Sequence, residues 1–150
     1  MFIGLVVALS DLVVGVIIGM IWGYVRKVDK VMTEIYNVIS NVPQTLILIL
    51  VSYILRPSIT TIIISMCMVG WMAMARFIRN QVVIFRDRDF NLASRCLGTS
   101  TFRIITKNLL PQMVSVIMLQ TALAIPGAIG DEVFLTYIGL GLPTSQASLG

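Results

Sequence analysis

The chain has 150 residues, 57% of them hydrophobic and 12% charged, with a formal net charge of +4 and a mean hydropathy of +0.95. Soluble domains carry about 25% charged residues, so this composition excludes an ordinary soluble fold and points to an integral membrane protein. The basic excess does not indicate nucleic acid, because Lys and Arg are scattered between apolar runs without interleaved aromatics, a pattern that membrane topology explains.

A bilayer core of about 30 Å requires about 20 helical residues. Residues 2–25, 31–55, 58–76 and 109–129 each approach that length. The first run lacks the basic start, short apolar core and small-residue cleavage site of a secretory signal, so it reads as a span. Within it, Gly15, Gly19 and Gly23 recur every fourth residue and clear one side for the backbone of another helix. The same span carries Asp11, a candidate for a translocation path, for a structural pairing or for an outer-interface position.

In the second span, Glu34, Asn37, Asn41 and Gln44 follow one another at spacings of three, four and three, which places them on one helix face. Such a stripe forms either the polar wall of a pathway or a set of interhelical hydrogen bonds, and Pro43 predicts a kink inside it. In the third span, Met66, Met68, Met72 and Met74 read as adaptable packing residues rather than metal ligands. A fifth apolar run, 133–142, is too short to cross and follows Pro126, Gly127 and Gly130, so a re-entrant or interfacial piece is expected. Asp131 and Glu132 are expected to be solvated on the outer side, where they could attract cationic substrates. Since the chain starts almost inside one span and ends directly after an apolar segment, it reads as part of a longer polypeptide.

Every Lys and Arg except Arg56 lies either just after the first span or between the third and fourth. Basic residues near span ends stay on the cytoplasmic side, so these two connections are assigned to the cytoplasm. The longer one, 77–108, contains neither Gly nor Pro from 77 to 97, and Phe90, Ala93 and Leu97 recur at helical spacing while Arg86, Arg88, Asp89 and Arg95 occupy other faces. That pattern predicts an amphipathic helix. Gly98 suits the left-handed position past its end, and Thr99 or Ser100 can cap a following helix. The resulting knuckle presents an apolar stripe that either docks on a partner or lies on lipid headgroups.

No G-x-x-x-x-G-K-[ST] phosphate loop is present, so the chain is not expected to hydrolyse ATP. It has no His, and its two Cys, Cys67 and Cys96, fall at different predicted depths. A His or Cys metal site, a Ser-His or Cys-His catalytic pair and a disulfide are therefore not expected.

The loop sequence ARFIRNQVVIFRDRDFNLASRCLGTSTFRIITKNLLP resembles the permease subunits of binding-protein-dependent ABC importers, whose cytoplasmic pattern is E-A-A-x3-G-x9-I-x-L-P. Leu92, Ala93 and Ser94 occupy the E-A-A positions, Gly98 the glycine, Asn108 the isoleucine, and Leu110 and Pro111 the terminal pair; Leu92, Ser94 and Asn108 depart from the pattern. The wider stretch and the later FLTYIGLGLP are similar to the oligopeptide, dipeptide and nickel branch, most of all to its C-type oligopeptide subunit. The resemblance implies an all-α, MetI-like permease core over residues 1–150, truncated at both ends, in the cell membrane. It implies a coupling helix within 86–100 that seats in a groove of a cytoplasmic ATPase, with Arg86, Asp89, Phe90, Leu92, Ala93, Ser94, Leu97, Gly98, Thr99 and Ser100 as coupling residues. It further implies a second permease subunit, two ATPase subunits carrying ATP and Mg, and an extracytoplasmic binding protein. Oligopeptide is the expected cargo, with dipeptide and nickel as alternatives. A secondary carrier or channel using Glu34 and Asp11 as ion or proton groups is the competing class; inverted repeats would favour it, and the sequence shows none.

Overall fold

The computed structural model describes residues 2–54 and 58–139. Among these the chain is helical: α1 Phe2–Tyr24, α2 Arg26–Ser40, α3 Gln44–Ile54, α4 Ile59–Arg86, α5 Asp89–Cys96, α6 Thr101–Arg103, a π-helical segment Ile104–Leu109, and α7 Leu110–Tyr137. Ile3–Tyr24, Thr60–Arg86 and the continuous stretch Thr101–Tyr137 are each long and apolar enough to cross a membrane, and α2 with α3 forms a further, broken unit.

The most extensive contact in the bundle is between α1 and α4, and glycine makes it possible. A Cβ added to Gly15 would stand 2.6 Å from Met74 Cβ, one on Gly19 2.6 Å from the Ala75 carbonyl oxygen, and one on Gly23 2.6 Å from Val82 Cβ. The side chains missing from α1 are thus replaced by the body of α4. Ser58 starts α4 by accepting the Thr61 N–H at 3.1 Å.

Two apolar clusters stack along the bundle. One joins Met20 of α1, Met74, Ile78 and Val82 of α4, Ile104 and Leu109 of the π segment, and Met113 and Ile117 of α7. The other joins Ile3 and Val7, Leu48 of α3, Ile62 and Met66, and Ala128 and Leu135. Outward faces carry Leu9, Val13, Ile17, Met118 and Leu123, all exposed, as a lipid-facing surface would.

The fold corrects a series of expectations. The span over 31–55 is not one helix: α2 ends at Ser40, α3 begins at Gln44, and their axes bend by 73°. Pro43 cannot donate a backbone hydrogen bond and disfavours helical geometry at Val42, so the anticipated kink becomes a break. The span over 58–76 continues to Arg86, and the single amphipathic helix over 77–97 divides at Asp87 and Arg88 into the end of α4 and the separate α5. The Asn91 side chain donates to the Phe85 carbonyl at 2.8 Å, satisfying an end group of α4 that a continuing helix would have used.

The last span is not confined to 109–129. Helix runs on through Pro126, Gly127 and Gly130 to Tyr137, so the first part of the 133–142 run belongs to α7 rather than to a re-entrant piece; residues 140–142 lie outside the described residues. Proline removes one backbone donor, and Ala128, Glu132 and Leu135 bury one face of the helix beyond it. Glu132 is accordingly buried and Asp131 half-buried, neither fully solvated as expected. Ser100 stands at the start of α6 but makes no side-chain cap; its carbonyl accepts from Ile104 N–H.

Substituting Gly19→Ala should destabilise the protein by about 1–3 kcal/mol through overpacking against the α4 backbone. Gly130→Ala, with no atom within 4 Å of the added carbon, should be neutral or mildly stabilising. Thermal unfolding of the two purified variants in detergent distinguishes these outcomes.

Candidate functional site

The knuckle that the sequence assigns to the cytoplasm is α5 with its flanking turns. Its C-terminal turn closes through Gly98 N–H donating to the Arg95 carbonyl at 2.9 Å and Thr99 N–H donating to the Ser94 carbonyl at 3.0 Å. This bond pair defines a Schellman turn, which needs a left-handed residue, and Gly98 has φ +74°. Phe90 is 42% and Leu97 85% exposed, and Leu92, Ala93 and Phe102 are also exposed. The apolar side of the knuckle therefore faces away from the bundle.

The opposite side is tied down by polar bonds. Asn91 is fully buried. Asn108 of the π segment donates through its Nδ2 to Asn91 Oδ1 and to Ser94 Oγ, both at 3.1 Å, while Ser94 Oγ donates to the Phe90 carbonyl at 2.9 Å. Ser94 and Asn108 are two of the positions that depart from the sequence pattern, and the fold pairs them with each other. An alanine and an isoleucine there would pack; a serine and an asparagine hydrogen-bond instead.

Arg95 carries the knuckle to α1. Its Nε donates to the Tyr24 hydroxyl at 3.1 Å, its guanidinium lies 4.8 Å from the Tyr24 ring centroid, and it also donates to the Arg86 carbonyl. Arg86 donates to the Gly23 carbonyl at 2.7 Å. On α2, Asp29 receives both Nε and Nη2 of Arg79, at 2.7 and 2.9 Å, and Trp22 Nε1 donates to Thr33 Oγ1. The two-pronged Arg–carboxylate geometry fixes orientation as well as charge. Asp87 lies within 4 Å of Arg26, Arg86 and Arg95, so the turn between α4 and α5 is bridged to its neighbours. Asp89 sits exposed in the first turn of α5, where a carboxylate complements the helix dipole.

The pathway residues do not form one stripe. Glu34 and Asn37 are exposed on α2, Asn41 lies at the break with its Nδ2 donating to the Asn37 carbonyl, and Gln44 opens α3. The expected continuous helix face fails because the helix ends between them. Gln44 instead lines a cavity with Asp11 of α1, the pathway candidate of the first span, and with Gly70, Gln120 and Asp131, which the sequence had not grouped with it. Arg76 covers the rings of Trp22 and Tyr36, at 5.7 and 5.0 Å from their centroids.

The profile of the family described as binding-protein-dependent transport system inner membrane component matches residues 15–150. The chain belongs to this family. It is 44% identical over 99% of its length to the oligopeptide transport system permease protein AmiD of Streptococcus pneumoniae, covering 48% of that relative. It is 40% identical over 100% of its length to the dipeptide transport system permease protein DppC of Bacillus subtilis, covering 47% of it. The oligopeptide transport system permease protein OppC of Bacillus subtilis is 39% identical over 99% of the chain, which covers 49% of that protein. The chain thus spans about half the length of the curated relatives it matches. Membership fixes a multi-pass membrane transport component, in agreement with the apolar helices.

The clamp inside this family member gives a direct test. Asn108→Ile strands Asn91 Oδ1 in a buried site and should cost about 1–3 kcal/mol. Combined with Ser94→Ala, it should show a coupling of about 0.5–3 kcal/mol in a double-mutant cycle read by thermal unfolding, whereas additive losses would mean the bonds contribute independently.

Proposed function

We propose that the chain is part of a permease subunit of an ATP-driven oligopeptide importer, in which the knuckle seats on a separate ATPase and the spans form part of the translocation path. The observation that carries this reading is the two-sidedness of α5: an exposed apolar side with Phe90 and Leu97, and a polar side bonded to the rest of the bundle. An apolar stripe facing the cytoplasm calls for a protein partner, and a short helix bonded to several spanning helices suits force transfer rather than loose adhesion.

In mechanical terms, displacement of α5 is felt by α4 through the Asp87–Arg88 turn, by α1 through Arg95 and Tyr24, and by α7 through Asn108. ATP and Mg belong to the partner ATPases in this scheme, and the chain contributes no catalytic group. A second permease subunit completes the path, and an extracytoplasmic binding protein delivers cargo. The names of AmiD and OppC support oligopeptides as cargo. A dipeptide importer is the alternative within the branch, supported by the two DppC relatives from Bacillus subtilis and Lactococcus lactis.

Phe90→Asp or Leu97→Asp should abolish co-purification of the ATPase with the permease and reduce ATP-driven peptide uptake by at least tenfold, with the permease still inserted in the membrane. Retention of both would remove the coupling role. Collapse of the ion gradients with ATP maintained should spare uptake; loss under that condition would favour a secondary carrier.

A further inference from the structure

Between the two apolar clusters the bundle does not close. On α1 one cluster ends at Val7 and the other begins at the partly buried Leu12, on α4 they are separated between the partly buried Cys67 and Met74, and on α7 between Ile117 and Ala128. A cavity of about 200 Å³ occupies this interval. Its polar lining is Asp11, Gln44, Gln120 and Asp131, and among the described residues no Lys or Arg lines it.

Asp11 is 8% exposed, and its Oδ1 has no hydrogen-bond partner among the described residues. Space for the carboxylate is made by Gly70, where an added Cβ would collide with Oδ2 and stand 2.8 Å from Oδ1. Asp11 is nine residues beyond Phe2, about 14 Å along the helix axis and hence deep within the span. A carboxylate at that depth, cleared by a glycine and with an open acceptor in a cavity, is arranged to meet a cation that none of the described residues supplies.

We propose that this cavity binds the primary ammonium at the amino end of a peptide in transit, with Asp11 as its counter-charge and with Asp131, Gln44 and Gln120 supplying further oxygen acceptors. The inference rests on the peptide-importer reading above. An ammonium carries three N–H donors and no acceptor, which complements two carboxylates and two amide oxygens. A hard divalent ion requires six or more closely held oxygens; among the described residues no group of three His, Cys, Asp or Glu side chains is placed to hold a metal. The terminal ammonium is also common to all unblocked peptides whatever their side chains. A site that reads it would pass many sequences, and a partly open cavity would release them.

The test uses the full-length permease in the complete importer, reconstituted in proteoliposomes with its binding protein. ATP-driven uptake of trialanine is compared with that of N-acetyl-trialanine, each at a concentration that saturates the binding protein. Asp11→Asn should lower trialanine uptake about tenfold, equivalent to about 1.4 kcal/mol, and leave N-acetyl-trialanine uptake within about twofold. An unchanged ratio of the two rates, or an equal loss of both, would overturn the ammonium site and assign the carboxylate to helix packing or protonation. If the wild-type importer moves neither peptide, it is the importer reading that fails. Should Asp11→Asn not assemble, Asp131→Asn is read in the same assay; a ratio that falls supports the site and one that does not overturns it.

Discussion

The close approach of α1 to α4 is the constraint from which the remaining geometry follows. Gly15, Gly19 and Gly23 bring the two backbones together along more than two turns, and the contact fixes their register as well as their distance. With that register set, Gly70 falls opposite Asp11 and Arg86 falls opposite the Gly23 carbonyl. The interior carboxylate and the arginine network beside the knuckle are therefore two consequences of one seam. Lipid tails are as apolar as the side chains they would replace, so helices associate in a bilayer through close packing and polar bonds rather than through expulsion of water. A glycine seam capped by an arginine network uses both.

The knuckle shows how a short helix becomes rigid. Eight residues of isolated helix are marginal in water, and α5 presents much of its apolar surface outward. What holds it are bonds to elements far away in sequence: Tyr24 on α1 through Arg95, and Asn108 on the π segment through Asn91 and Ser94. The π segment itself precedes Pro111, and its wider turn carries the Leu110 N–H to the Ile105 carbonyl. Such bulges tend to occur where helices serve a function. Here it orients Asn108 toward α5 while Ile104 and Leu109 stay in the core.

The proposed function links two places in the bundle. The outward apolar stripe is on α5 at one end, the cavity with Asp11 is mid-bundle, and α1, α4 and α7 line the cavity and meet the α5 region at their ends. Rigid helices that share a glycine seam move together or slide along it, so under the proposed coupling role a push at α5 would reach the cavity walls without any separate relay.

Length and hydropathy alone determined that this is a helical membrane protein, because a bilayer demands long uninterrupted apolar helices and leaves a strong one-dimensional trace. The glycine repeat, the left-handed Gly98 and the outward positions of Phe90 and Leu97 were equally legible, since each depends on local spacing or on a conformation that glycine tolerates best. Tertiary structure decided the rest. The break at Pro43 dispersed a stripe that assumed one continuous helix, and the passage of α7 through Pro126 buried Glu132 where a solvated position was expected. The pairing of Ser94 with Asn108 and the grouping of Asp11 with Gln44, Gln120 and Asp131 join residues from 14 to more than 100 positions apart. Periodicity reports which residues share a face of one helix, but only packing decides which faces meet.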